Sequence, residues 1–339
     1  MSLADQFHSS ILKNSVQWMR YEAGIRQDID AMIRQLGKDL VEELSGSGID
    51  TPRTDWQRAR LRKLLDEAQS IVDDSYTQIA AHASDGLAAG IEASTANLLA
   101  SMNDAVGVEL LQGIKWSPGL LKALVDDTLT VGAPSAEWWA RQGESLTQGF
   151  TDQMRQAMLQ GENLQSMVAR TKDLMMVGTR NAEALVRTSA MAVNNAAQLA
   201  LWKENANSLD ELQWVATLDP KTCLVCGVLD GQTWPINDTH EVPPAHWNCR
   251  CCTVPIPKMW DELGIKMPVG QRPTSTDTAN GTVSGDTTWE SWLGSLSKSE
   301  QESILGPGRF RLWNSGKLSI RDLTDQRGNV LTLDQLKAL

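Results

Sequence analysis

The sequence predicts a mainly α protein that carries one small α+β module. Residues 1–208 contain few Gly and Pro and are rich in residue types that favour helices. The segment 212–218 alternates and contains β-branched residues, which is typical of a strand. All five Cys and two of the four His lie between residues 223 and 252, which indicates one local site. We therefore expect a long helical N-terminal region, a β-rich Cys/His knob and a short helical C-terminal tail.

The composition is that of a folded chain with more than one domain. The chain has 339 residues, of which 41% are hydrophobic and 22% are charged. This length is sufficient to bury a core, and the composition is too apolar for general disorder. No apolar run reaches the roughly 18 residues of a membrane span, so no membrane partner is expected. The first ten residues lack the pattern of a secretory signal. The formal net charge of −11 argues against a broad basic surface for duplex DNA.

Helical periodicity recurs throughout the first 208 residues. Apolar residues repeat every three or four positions from Leu61 to Val72, and again from Leu185 to Leu201. The second run predicts a helix over about 179–207. Helices are predicted to begin after Thr51-Pro52 and after Ser135, the second opening with Glu137. Breaks are predicted at the Gly- and Pro-containing positions Gly46, Gly48, 116–119, 132–134 and Gly161.

The segment 210–256, called the Cys/His module below, has a β-like residue pattern that differs from the helical periodicity of the preceding region. Asp230-Gly231 lies between two β-like runs and predicts a hairpin turn. A further short strand is predicted over 250–255. With about 50 residues, the module is too small to carry a large core of its own.

Changes in composition predict the organisation of the remainder of the chain. The segment 263–287 consists largely of Gly, Ser, Thr, Pro, Asp and Asn, and is predicted to be a linker or an extended arm. Short helices return after it, the first with a capping box formed by Ser297 and Glu300. The predicted organisation is a helical region 1–134, a second region 135–262 that contains the Cys/His module, the linker 263–287 and a helical tail 288–339.

The spacing of the cysteines predicts a metal site closed by two pairs of ligands. Cys223-x-x-Cys226 is followed, after nineteen intervening residues, by the run His-x-x-Cys-x-Cys-Cys that starts at His246. Zinc prefers four thiolate or imidazole ligands in a tetrahedron, and it can stabilise a module whose core is small. We predict one structural zinc ion, held by Cys223, Cys226, Cys249 and one of His246 or Cys251.

The sequence does not decide whether His246 or Cys251 is the fourth ligand. On extended backbone Cys249 and Cys251 point to one face and Cys252 to the other, which favours the first two as ligands. His246 precedes this run in a loop that can bring its ring to the same ion. Two other interpretations fit the same cysteines: two disulfides with one thiol left over, or buried free thiols.

Nothing else in the sequence indicates catalysis. The candidate ligands fill all four positions of a zinc ion, whereas a catalytic site keeps one open. No Walker-type phosphate loop, Gly-x-Ser-x-Gly elbow or metalloprotease His spacing occurs. Asp219 and Asp230 stand at turn positions, where Asp is common for conformational reasons, and His240 is predicted to be a solvated loop residue. We therefore expect no enzymatic activity.

Two separated blocks of the chain resemble the hallmark of the phage Mu F-type head morphogenesis family, the minor head proteins of tailed phages. Members share a helix that ends in Arg-Thr, then Asp-x-x-Thr-Cys-x-x-Cys, then Pro-Pro-x-His-x-x-Cys-Arg-Cys. The resemblance covers about residues 135–256, and Cys252 is an addition to the pattern. The matching residues are Arg187, Thr188, Asp219, Thr222, Cys223, Cys226, Pro243, Pro244, His246, Cys249, Arg250 and Cys251.

The resemblance implies a structural role in the virion. Members of this family enter the procapsid in few copies, associate with the portal and aid head assembly. The implied partners are the portal protein, capsid or scaffolding proteins and, for some members, the packaged DNA. The implied location is the head interior or portal vertex of a bacteriophage, after synthesis in the bacterial cytoplasm.

Two alternative functions remain at this stage. One is an internal head protein that binds DNA through the zinc module or through a modestly basic tail. The other is a hydrolase or nuclease built on the Cys/His module, which would need His240 or His246 as its base. The residues that suggest a basic bias lie in the stretch 309–327 of the tail and are Arg309, Arg311, Lys317, Arg321 and Arg327, against Asp322 and Asp325.

Overall fold

The chain forms two compact units in the computed structural model. The model describes residues 3–49, 55–106, 109, 111–238, 240, 242–258, 271–274, 282–325 and 328–339. The unit called the helical unit here comprises Met19–Glu92 and Trp116–Val193. The unit called the sheet unit comprises Met1–Trp18, Ala93–Lys115 and Asn194–Leu339.

Long helices account for most of the first 208 residues, which confirms the mainly helical part of the predicted fold class. None of the described helices has the length and apolar composition that a membrane span requires. The helices are α1 (Leu3–Gly46), α2 (Asp55–Val106), α3 (Pro118–Asp127), α4 (Ser135–Gln160) and α5 (Leu164–Glu204).

The helical unit buries one apolar stripe from each of its long helices. A short hairpin of β1 (Leu129–Thr130) and β2 (Ala133–Pro134) leads from α3 into α4. The stripes have helical spacing, as expected for faces that pack on one core. Buried members include Ile29, Ile33, Leu36 and Leu40 of α1, Val72, Tyr76 and Ile79 of α2, Trp139, Phe150 and Met154 of α4, and Met167, Ala182 and Leu185 of α5.

Most predicted helix boundaries agree with the structure. Ser117 caps α3 by accepting a hydrogen bond from the Leu120 N–H. Gly161 ends α4 in the left-handed conformation, with φ of 67°. The helix predicted to follow Ser135 starts slightly earlier than predicted, because Ser135 is itself the first residue of α4. The predicted start at Thr51-Pro52 lies outside the described residues.

The helix predicted over 179–207 is wrong at its start, because α5 already begins at Leu164. Gly178 precedes the predicted start and is buried inside the helix, where an added Cβ would lie 3.8 Å from the Tyr76 hydroxyl. One helical Gly costs only about 1 kcal/mol, too little to end a helix whose buried stripe continues on both sides. The buried stripe of α5 also continues past Thr188, and Arg187-Thr188 therefore lies inside α5 and not at a helix end.

A three-stranded antiparallel sheet forms the centre of the sheet unit. The strands are β3 (Leu209–Val215), β4 (Thr233–Pro235) and β5 (Cys252–Pro257), in the order β4-β3-β5. The strand predicted over 212–218 therefore starts and ends three residues earlier. The predicted hairpin at Asp230-Gly231 is wrong, because the run before it is a helix, α6 (Leu224–Leu229). The turn leads from α6 into β4.

The two sides of this sheet belong to different clusters. On one side, Leu212 of β3 and Val254 of β5 pack against apolar residues of α1, α2 and α5, such as Ile11 and Trp202. On the other side, Trp214 of β3 packs against the buried cysteines. The sheet thus lies between the buried cysteines of the Cys/His module and apolar residues of the helices of the same unit.

The segment predicted to be a linker contains two strands. β6 (Gln271–Pro273) and β7 (Thr282–Ser284) pair as an antiparallel hairpin, in which Arg272 is buried. The composition predicts an extended segment and does not reveal the ion pair that Arg272 makes with Asp230 of the module. Residues 263–270 and 275–281 lie outside the described part of the chain.

The C-terminal tail packs on the Cys/His module and shares its core. Trp289, Trp292 and Leu293 form one buried cluster with Leu218 and Val228. The predicted capping box of Ser297 and Glu300 is present. The helical elements of the tail are α7 (Trp289–Ser295), α8 (Lys298–Leu305), α9 (Pro307–Asn314), a 3₁₀ helix (Ile320–Leu323) and α10 (Leu333–Lys337).

One buried carboxylate joins the module, the β6–β7 hairpin and the tail. The side chain of Asp230 is 1% exposed and accepts hydrogen bonds from the backbone N–H groups of Ala216 and Trp289, both at 2.7 Å. The same carboxylate accepts from both terminal nitrogens of Arg272, at 2.9 and 3.0 Å. Arg272 also donates to the carbonyl oxygens of Ala216 and Thr287.

Asp230→Asn should destabilise the sheet unit strongly. The substitution leaves the buried guanidinium of Arg272 without a counter-charge, and breaking such a pair costs about 3–5 kcal/mol. Chemical denaturation followed by Trp fluorescence measures the change in the free energy of unfolding. Asp238→Asn, at an exposed position after β4, serves as the control and should change it by less than about 0.5 kcal/mol. Equal effects of the two substitutions would contradict this role of Asp230.

Candidate metal centre

The first two candidate ligands lie at the start of α6. Cys223 is the N-cap residue of this helix, and its Sγ accepts a hydrogen bond from the Cys226 N–H at 3.4 Å. Cys226 follows in the first turn and is buried against Trp214 and Ala216. The Cys-x-x-Cys spacing therefore turns both sulfurs towards the same point, one from the cap and one from the first turn.

The next two candidates come from a tight turn before β5. The Cys249 N–H donates to the His246 carbonyl oxygen at 3.2 Å, and Asn248 within this turn has φ of 60°. Asn tolerates this left-handed conformation better than most residues. The turn brings His246 Nε2 to 3.1 Å and Cys249 Sγ to 3.7 Å from Cys226 Sγ.

The last two cysteines point in opposite directions. Cys251 is buried in the cluster with Cys226 and Cys249, whereas Cys252 packs on the other side of the sheet with Val254. Burial raises the pKa of the Cys252 thiol to about 11. The structure thus brings together five of the predicted site residues, and it separates Cys252 from them.

The donor atoms form two overlapping groups around Cys226. Within each group all ligand atoms lie within 4.8 Å of one another. The 3.7 Å between the sulfurs of Cys226 and Cys249 far exceeds the ~2.05 Å of a disulfide bond, and all five cysteines are free. Two sulfurs on one tetrahedral zinc lie about 3.8 Å apart, because each Zn–S bond is about 2.3 Å. The groups are Cys223, Cys226 and His246, and Cys226, Cys249 and Cys251.

Hydrogen bonds within the cluster shift the pKa values of its members in opposite directions. A hydrogen bond from the Cys226 thiol lowers the pKa of Cys223 to about 4, and the same donor lowers the pKa of Cys249. Cys226 has a raised pKa because its proton is shared with Cys223, Cys249 and Cys251. The Cys223 and Cys249 sulfurs raise the pKa of His246 to about 10. A cluster that concentrates negative charge in this way is suited to a cation.

An ion pair that sequence reasoning missed connects the two halves of the motif. Arg250, between Cys249 and Cys251, forms a bidentate pair with Asp219, with one N–O distance of 2.9 Å. Asp219 also accepts from the Lys221 N–H at 2.8 Å and so shapes the turn that leads to Cys223. The opposite charges of Asp219 and Arg250 were visible in the sequence, but their 31-residue separation gave no reason to pair them.

Several of the other residues considered as catalytic or DNA-binding candidates have structural contacts. Asp219 and Asp230 each bind an arginine, and the half-buried His240 stacks on Trp234 with ring centroids 5.2 Å apart. In the tail, Arg309 and Arg311 donate to the backbone carbonyls of Leu331 and Pro307. Arg327 lies outside the described residues.

Fold and site together define a mainly helical protein with a Cys/His cluster of the type that can hold a metal ion. Residues 148–254 match the family model described as Phage Mu protein F like protein. This match confirms the resemblance seen in the motif, and the family indicates a phage head morphogenesis protein. Neither the curated proteins nor the solved structures gave a significant match to the chain.

In metal-free protein Cys223 should be the most reactive of the five thiols. Its pKa of about 4 makes it a thiolate at pH 6, and its side chain is partly exposed, whereas Cys252 is buried and protonated. Alkylation with iodoacetamide after chelation, followed by peptide mapping, should modify Cys223 more than about 100-fold faster than Cys252. Equal rates, or earlier modification of Cys252, would be inconsistent with this arrangement.

Proposed function

We propose that this protein is a phage minor head protein, a low-copy component of the procapsid that works by binding other head proteins, chiefly the portal. The observation that carries the proposal is the family match at residues 148–254, which contains both halves of the Cys/His motif. Further proposed partners are capsid or scaffolding proteins. The proposed location is the head interior or portal vertex.

The contacts of the sheet unit support a binding role because they produce a rigid surface. Within the Cys/His module the buried cysteines pack against Trp214 of β3, and α6 packs through Val228 against the tail helices. Gly227 lies so close to Trp289 that an added Cβ would come within 2.4 Å of the indole ring. Such close packing favours a fixed docking face, which limits the entropy lost on binding a partner.

We further propose that one structural zinc ion is held by Cys223, Cys226, His246 and Cys249. His246 Nδ1 lies 2.8 Å from the Trp247 carbonyl oxygen, which can only accept, so Nδ1 carries the proton. In the neutral ring the lone pair is then on Nε2, the atom that faces Cys226. A carbonyl partner of this kind orients the histidine ligands of metal sites. Cys251 is the surplus thiol in this assignment. When bound, the ion supplies folding stability.

The zinc assignment predicts different results for two neighbouring cysteines. Full-length protein purified in reductant should contain about one zinc per chain by elemental analysis. Cys251→Ser should keep this stoichiometry, whereas Cys249→Ser should lose most of it, because only Cys249 is a proposed ligand. Both residues are buried, so the pair is matched for packing.

Cobalt substitution tests the same assignment without relying on stability. The thiolate-to-cobalt absorption bands should be unchanged in Cys251→Ser. They should be weaker in Cys249→Ser. A metal-free wild-type protein, or loss of metal in Cys251→Ser alone, would overturn the proposed ligand set.

The head-assembly proposal predicts where the protein is found in infected cells. A phage that lacks the gene, complemented with wild-type protein, should yield heads that contain the protein in few copies together with the portal. Cys251→Ser should be incorporated normally, and Cys249→Ser should be depleted from heads because its module is not held by metal. Absence of the wild-type protein from both heads and portal complexes would refute the proposal.

A further inference from the structure

A groove in the helical unit has the features of a protein docking site. It lies between α1 and α5 and has a volume of about 810 Å³, within the range of sites that take several apolar side chains. We propose that this groove binds an amphipathic helix of a partner protein, whose apolar stripe is flanked by carboxylates. The proposal depends neither on the metal centre nor on the proposed head function.

The floor of the groove is apolar and adaptable. α1 contributes Ile33 and Val41, and α5 contributes Met175 and Met176. Met176 is 55% exposed, an unusual position for a large apolar side chain. Methionine side chains are flexible and polarisable, and they are common on surfaces that bind apolar helices.

The two helices approach closely at the floor because α1 has a glycine there. A Cβ added to Gly37 would lie 3.1 Å from Met175 Cγ, so a larger residue would push this side chain outwards. The lining residues of α5 run from Lys172 to Glu183 at spacings of three and four, so one helix face borders the groove along its length. An elongated groove between two helices is suited to a third helix.

The charges on the rim select the chemistry of the occupant. Three of the charged lining residues are already in ion pairs, Arg34 with Asp30 and Glu183 with Arg26, the latter pair at 4.0 Å. The remaining charged lining residues are three cations, Lys38, Lys172 and Arg180, and one carboxylate, Glu42. None of these three cations forms an ion pair with any described residue.

This excess of unpaired cations contrasts with the net charge of −11 for the whole chain. Complementary charges at the edge of an interface select the partner and its register. A helix with carboxylates beside its apolar stripe is therefore favoured over one with basic flanks, which would meet three like charges.

Two designed peptides test this preference directly. Both are labelled helices of about 18 residues with Leu at positions i, i+3, i+4 and i+7, one flanked by Glu and the other by Lys. Fluorescence anisotropy with the full-length protein should show about tenfold or tighter binding of the Glu peptide, and its affinity should fall as salt is raised. In Lys38→Glu/Lys172→Glu the preference should reverse to the Lys peptide.

The control is a double variant with the same change in net charge. Lys13 and Arg20 are exposed on α1 and do not line the groove, so Lys13→Glu/Arg20→Glu should keep the preference for the Glu peptide. Circular dichroism checks that both variants keep their helix content, as expected for exposed positions. The proposal fails if the peptides bind equally or not at all, or if the control also reverses the preference. It also fails if light scattering shows a dimer that only the groove variant abolishes, because the occupant is then a second copy.

Discussion

The carboxylate of Asp230 is the interaction on which the arrangement of the sheet unit depends. Its two oxygens accept from the backbone just after β3 at Ala216, from the start of the tail at Trp289 and from the guanidinium of Arg272. Each of these groups is buried, and an unsatisfied buried donor costs about 1–3 kcal/mol or more. Three segments from different parts of the sequence are therefore held in register by one side chain.

A second ion pair plays the corresponding role inside the metal centre. Asp219 precedes the Cys-x-x-Cys turn, and Arg250 lies within the Cys-Arg-Cys run, so their pair brings both sources of ligands to one place. Cys226, which contacts His246 and Cys249, lies in the middle of the donor atoms. The candidate ligands are thus oriented by protein contacts, and the proposed metal ion would add its attraction to the sulfurs to these contacts.

The two units offer different surfaces to partners. The sheet unit presents a stiff module whose core is completed by the tail, as the cluster of Trp289, Trp292 and Val228 shows. The helical unit presents a groove with an adaptable methionine floor and a rim of unpaired cations. In the proposed function, the closely packed face of the sheet unit would set the position of the protein, and the adaptable groove would take a partner helix.

The sequence by itself determined the helical class, the capping of α8 by Ser297 and Glu300, and the set of five clustered Cys and His residues, because these depend on local spacing. Only the tertiary structure decided the rest. Gly178 stays inside α5 because packing outweighs its low helix propensity, and the run before Asp230 is helical with Cys223 as its cap. Asp230 and Arg272 are 42 residues apart, and their pairing requires that the tail and the β6–β7 hairpin fold onto the module. Local propensity carries no information on such contacts, since they are set by which buried groups need a partner.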